Sequence, residues 1–306
     1  MISIPEKIQN SIILILIVAV GLFLRAYKFG YYPLGFDNLQ IITSAEKIVE
    51  GDLVFLGPRT GPAEMFTGPL IYYVAAPFLF LGFSHYTAIF VPLFLALLTG
   101  ITLAWLTKVV EREQHLILAL WAFSPLLIPM DRILWNPNLT VLASSLTFFP
   151  LLALERKYRY QLFGKHIPTE FLLFVGAFLG YQAHFSGLIL APLACIYLVV
   201  RRYKNVWLYG ALFVGFLASL LPTVLFDIKN NYLNTRGLLS LLEGKTGFGL
   251  VGFFTTLLHA MQISLENLGG VLLEGNSLEL ILIAGVVVVL TTLLLYKKIT
   301  EKEKKL

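Results

Sequence analysis

The chain has 306 residues, 58% of them hydrophobic and 13% charged, with a formal net charge of +5 at pH 7. Soluble domains carry roughly one-quarter charged residues, so this chain lacks the polar surface for a globule wetted on all sides. Its Lys and Arg gather in a few short connections, not in one stripe with interleaved aromatics, which argues against nucleic acid as a partner. The short alternating segments of a membrane β-barrel are absent too.

In chain order, long apolar runs alternate with short polar connections, and runs of about 18 or more residues can cross a ~30 Å hydrocarbon layer as helices. The first run, 11–27, is followed by no small-x-small cleavage pattern and reads as a retained span. An outer loop over 28–86 comes next. It holds an amphipathic helix from Leu39 to Glu50, closed by Gly51, and an apolar helix over 68–82 placed at the outer face as a juxtamembrane or re-entrant element. Further spans are expected at 87–107, 114–130, 139–154, 169–184, 185–200 and 206–226. A second outer segment, 227–277, contains 248–268, where His259, Gln262 and Glu266 recur on one helical face as in an interfacial helix. A last span covers 278–296. The basic clusters at 108–112, 156–165, 201–204 and from Lys297 onward belong to the cytoplasm by the positive-inside rule, which places both termini there. The expectation is one all-α integral membrane domain over 1–306: a polytopic bundle of about eight spans in the cell membrane, with juxtamembrane helices on its outer face.

This topology gathers the polar residues on the outer side. They are Asp37, Asp52, Arg59 and Glu64, then Asp131, Arg132, Trp135 and Asn136, then Gln182 and His184, and finally Asp227, Asn230, Asn231, Asn234 and Arg236. Each alone is ordinary loop polarity; together, on four separate segments, they point to a pocket, because ionisable groups close to a bilayer are costly unless they face a cavity or a partner. Asp37, with Gln40 three residues on, fits a capping box at the start of the amphipathic helix. That role is compatible with chemistry, since a helix N-terminus favours a carboxylate as the anion and a general base starts in that form.

Metal ligation finds little here. The five histidines are dispersed, and Asp37 with Asp52 or Glu64 is an unspecific carboxylate arrangement for a hard divalent ion. Glycine-rich phosphate loops are missing, and the lone Cys195 reads as apolar packing. No cofactor is expected. Asn138-Leu139-Thr140 matches a glycosylation sequon but lies against a span.

The order of several short motifs resembles the GT-C superfamily of membrane glycosyltransferases, in its protein-mannosyltransferase and aminoarabinose-transferase branch. The motifs are Arg25-Ala26-Tyr27 at the end of the first span, Pro33-Leu34-Gly35-Phe36-Asp37-Asn38, Glu50-Gly51-Asp52, and Thr67-Gly68-Pro69-Leu70-Ile71-Tyr72-Tyr73. Arg132 before Trp135-Asn136-Pro137, the stretch Gly180-Tyr181-Gln182-Ala183-His184-Phe185, and Phe226-Asp227-Ile228-Lys229-Asn230 are similar as well. The resemblance implies transfer of a sugar, with inversion, from a polyprenyl-phosphate carrier to a lipid, glycan or protein acceptor outside the membrane. It implies that Asp37 is the general base, and that Arg132, Arg59 and Arg236 are candidates for the leaving phosphate. His184, Asn136 and Gln182 complete the substrate-binding set. Members often carry Asp-Glu where this chain has Asp37-Asn38. Two other classes compete. A transporter or flippase of lipid-linked sugars would carry ionisable groups deep in its spans and broken helices in paired halves. A lipid-carrier-binding protein without catalysis would fit the missing second carboxylate.

Overall fold

Helices account for nearly all regular structure in the computed structural model, which describes residues 6–27, 35–60 and 65–242. Packing contacts group Met1–Leu238 in one compact unit and Leu239–Leu306 in a second. The elements named here belong to the first, save the end of the last helix. In order they are α1 (Glu6–Ala26), α2 (Phe36–Val49), a two-strand hairpin β1 (Arg59–Thr60) and β2 (Met65–Phe66), α3 (Leu70–Phe80), α4 (Thr87–Leu106), α5 (Gln114–Phe123), α6 (Leu127–Met130) and α7 (Thr140–Glu155). A second hairpin, β3 (Gln161–Leu162) and β4 (Lys165–His166), leads to α8 (Thr169–Ala183), α9 (Leu190–Val200), α10 (Val206–Lys229) and α11 (Leu233–Leu242).

Among the described residues three helical stretches are long and apolar enough to cross a membrane: Ser84–Val110 around α4, Asn136–Glu155 around α7, and Val206–Lys229, which is α10. Their outward faces keep large apolar side chains exposed, such as Phe90, Phe94 and Ile101 on α4 and Phe213, Val214 and Leu217 on α10. Such faces suit hydrocarbon rather than water. The shorter apolar helices include residues 10–26 of α1 and all of α3 and α5.

Two expected spans are interrupted. The run 114–130 breaks into α5 and α6 at Ser124, whose ψ of 117° is extended because the following Pro125 forbids the helical region to the residue before it. The run 185–200 begins as a 3-10 turn over Phe185–Ile189 and becomes α9 only from Leu190. The segment 68–82 forms the short α3, whose 11 residues rise about 16 Å, well under the hydrocarbon thickness. The expected helix at 248–268 and span at 278–296 lie outside the described residues.

Close helix approach rests on small residues, as is common where hydrocarbon offers no hydrophobic drive between helices. A Cβ at Gly176 of α8 would lie 2.5 Å from Thr147 Oγ1 of α7, and one at Gly215 of α10 would lie 2.4 Å from the Phe174 carbonyl of α8. Cys195 is partly buried and packs with Tyr197 and Tyr203 against the cluster around Leu198 and Leu212.

Candidate functional site

The N-terminus of α2 differs from its expected form. The helix starts at Phe36 with Gly35 as its cap, so Asp37 sits one residue inside, exposed in the first turn, and does not cap. Asn38 does the capping in reverse: its Oδ1 accepts the Gly35 amide at 2.8 Å while its Nδ2 donates to the Leu134 carbonyl at 2.8 Å. Asn38 is buried and ties α2 to the loop between α6 and α7. At the far end, Gly51 ends the helix with φ +102°, a conformation glycine takes without steric cost. From the first turn, the Asp37 charge reaches across to α3. Burial holds the Tyr72 hydroxyl well above its usual range, opposed by a hydrogen bond from Ser44 and reinforced by Asp37.

The 131–138 loop is internally stapled. Asn138 accepts the Trp135 amide at 3.0 Å and donates to the Met130 carbonyl at 3.2 Å, and Trp135 Nε1 also donates to Met130 at 3.1 Å. Buried in this way, Asn138 leaves no room for a glycan, and its sequon is a chance match. Asp131 pairs with Arg25 of α1 at 2.7 Å, and Arg25 is wholly buried. The guanidinium also donates to the carbonyls of Gly21, Trp121 and Ala122, and lies 4.4 Å from the centroid of the Trp121 ring. The next residue, half-buried Arg132, donates from Nη2 to the Tyr27 carbonyl just past α1.

Asn136 carries the network onward, donating to the Ala183 carbonyl at 2.7 Å and to Thr67 Oγ1 at 3.4 Å. Gln182 accepts the Leu70 amide at 3.0 Å and donates to the Ser219 carbonyl at 2.8 Å, joining α3, α8 and α10. Both amides are buried, Gln182 to 1% exposure, so they hold segments together rather than face a ligand. Tyr181 donates to the Phe66 carbonyl at 2.7 Å and meets Thr223 Oγ1 at 3.1 Å. Buried Asp227 accepts the Asn234 and Thr235 amides and the Thr235 hydroxyl, capping α11, while Asn234 Oδ1 takes the Phe66 amide. Arg59, whose register partner is Phe66, and Arg236 on α11 therefore stand on adjoining segments, both exposed. Glu64 lies outside the described residues.

His184 follows α8, where its Nδ1 accepts the Ser186 amide at 3.2 Å and lies 2.9 Å from the Ser186 hydroxyl. Burial pushes the imidazole below its ordinary pKa, so it is neutral at pH 7 and adds no positive charge. Below about pH 6.5 the unfolded chain takes up a proton that the native imidazole resists. Stability should therefore fall as pH drops from about 6.5 toward the lowered native value, by at most about 1.4 kcal/mol per pH unit. His184→Gln should flatten that part of a chemical-unfolding profile between pH 7.5 and 5; an unchanged slope would place the titration elsewhere.

A mostly apolar groove of about 470 Å³ runs along α1. Ala19, Leu22, Phe23 and Ala26 of α1, Phe78 of α3, and Phe90, Leu93, Phe94 and Leu97 of α4 line it. Its Ala26 end adjoins Tyr27, the residue that Arg132 holds. Sequence reasoning did not find this groove or the burial of Arg25; the only signal was a charge in the last turn of an apolar helix. Among the described residues no three His, Cys, Asp or Glu side chains are grouped as a metal site requires. No family model, curated protein or solved structure matches the chain.

Proposed function

We propose that the chain is an inverting membrane glycosyltransferase that moves a sugar from a polyprenyl-phosphate carrier to an acceptor hydroxyl. The observation that carries this reading is a hydrocarbon-sized groove ending beside a cation: the α1–α4 groove stops at Ala26, and Arg132 holds the neighbouring Tyr27. An amphiphile with an apolar tail and a phosphate head matches that arrangement, and arginine meets phosphate in a two-pronged geometry. Asn38, through Leu134, keeps the first turn of α2 against the loop bearing Arg132. Asp37 thereby stands on the same end of the bundle as the cation.

In the proposed reaction Asp37 takes the acceptor's hydroxyl proton while the oxygen attacks the anomeric carbon. The bond from that carbon to the carrier's phosphate oxygen breaks on the opposite face, and the departing phosphate gains its negative charge beside Arg132. Asn136 and Gln182 act as positioning residues for the loop and for α3. Arg59 and Arg236, on adjoining segments, are assigned to the acceptor side or to lipid headgroups. A carrier-binding protein without catalysis is the second reading. It is favoured by Asn38, which stands where members of the GT-C superfamily often carry a second carboxylate and whose amide is here fully engaged in structure.

The test compares purified wild type with Asp37→Asn on a panel of polyprenyl-phosphate sugars in native membrane extract, following donor and product by mass spectrometry. Turnover by the wild type with a loss of about 100-fold in the folded variant is expected, within the usual contribution of a general base. Equal turnover would move the base elsewhere. Donor binding without turnover by either protein would establish the second reading.

A further inference from the structure

The opposite end of the bundle carries the β3–β4 hairpin, whose tip is exposed. Its turn is Phe163-Gly164, with φ +49° and +75°. Both central residues of such a two-residue turn need positive φ, a region that asparagine and glycine enter easily and a bulky aromatic does not. Phe163 is nevertheless 95% exposed, and Leu162 beside it is 45% exposed. A strained backbone carrying a bare aromatic points to contact with something outside the chain.

The hairpin is held firmly. Buried Tyr160 donates to the Leu106 carbonyl at 2.9 Å, with the Phe149 carbonyl 3.3 Å from the same hydroxyl, and Trp105 Nε1 donates to the Gln161 carbonyl at 2.8 Å. Phe149 lies about 9 Å of helical rise short of the end of α7, so the hairpin folds back along the membrane-length helices α4 and α7. Trp105, Tyr158 and Tyr160 cluster there, tilted and edge-on, with ring centroids 5.0 and 5.1 Å apart, which suits the boundary between headgroups and hydrocarbon.

Charge selects the occupant. The segment 156–167 contains Arg156, Lys157, Arg159 and Lys165 and no acidic residue. The connections at this end, 107–113, 155–170 and 201–204, hold nine Lys and Arg against four Glu. Of those Glu, Glu155 is paired with Arg201 and Glu170 accepts from Asn205. We infer that the β3–β4 hairpin is a membrane-docking element that sets Phe163 and Leu162 into an anionic lipid leaflet, with Lys157, Arg159 and Lys165 on the lipid headgroups. Apolar insertion and basic attraction reinforce one another in such contacts. The inference is independent of sugar transfer.

The full chain, with Cys195→Ser and an environment-sensitive fluorophore on Leu162→Cys, is reconstituted in two kinds of vesicle. One is phosphatidylcholine alone and the other is equal parts phosphatidylcholine and phosphatidylglycerol. The expected result is emission shifted to the blue and several-fold weaker quenching by neutral acrylamide in the anionic vesicles. Phe163→Ser should abolish both effects, and so should Lys157→Gln, Arg159→Gln and Lys165→Gln combined; high salt should weaken them. Equal quenching in both vesicle types, or shielding unaffected by the charge variants, would overturn the inference. Shielding that appears only when soluble cell extract is added would assign the hairpin to a protein partner and overturn it equally.

Discussion

Arg25→Met is expected to destabilise the protein by about 3–5 kcal/mol, the range for removing one partner of a buried ion pair. The arginine is wholly buried and meets Asp131 at 2.7 Å, so the substitution leaves a buried carboxylate facing an apolar side chain. It also takes donors from the Trp121 and Ala122 carbonyls at the C-terminal end of α5, which that short helix cannot satisfy internally. Gly100 leaves space for the Trp121 ring, since a Cβ there would come within 2.6 Å of it; the ring cannot easily move to compensate. Chemical unfolding in detergent, followed by tryptophan fluorescence, measures the loss. Arg25→Met with Asp131→Leu should recover most of it, because exchanging both charges for apolar groups removes the stranded carboxylate. A single-variant loss below about 1 kcal/mol would mean that the pair is wetted like a surface ion pair.

Gly187→Ala should be comparably damaging, at or above about 3 kcal/mol, the upper end of the cost of overpacking. The added methyl would lie 2.0 Å from the Gly180 carbonyl oxygen and 2.6 Å from its carbon. Both are backbone atoms of α8, with no rotamer that could give way. Relief would require the turn after α8 to move, and Gly187 donates its amide to the His184 carbonyl at 2.8 Å, so the His184 end of the site would move with it. Gly210→Ala is the matched control. Nothing lies within 4 Å of its added methyl, and within α10 alanine should be neutral or stabilising by up to about 1 kcal/mol. Equal losses from the two variants would show that packing at Gly187 is not what matters.

What could be read from the sequence follows the range of the interactions. Hydropathy placed the helix expected at 87–107 within a residue of α4 (Thr87–Leu106), and those expected at 139–154 and 206–226 beside α7 and α10. It misjudged 114–130 because averaging over apolar residues conceals what Ser124-Pro125 does to the backbone. Asp37 looked like a helix cap because Gln40 stands in the right register, yet Asn38 reaches both Gly35 and Leu134 and shifts the start of the helix to Phe36. Asn136 and Gln182 were legible as polar residues near one end of the bundle. Their partners, Ala183 for one and Leu70 and Ser219 for the other, are far off in the chain, and nothing in a single sequence encodes such pairings. The same distance conceals Arg25 and Asp131, which are separated by 106 positions.

That separation has a consequence for how the chain is made. At about 5–20 residues per second, the ribosome adds Asp131 roughly 5–20 s after Arg25. For that interval α1 carries an arginine in its last turn with neither its carboxylate nor the α5 carbonyls in place. A long cationic side chain in that position can meanwhile reach toward polar surroundings. Only once the segment bearing Trp121 and Asp131 has been made can the guanidinium reach the partners that bury it.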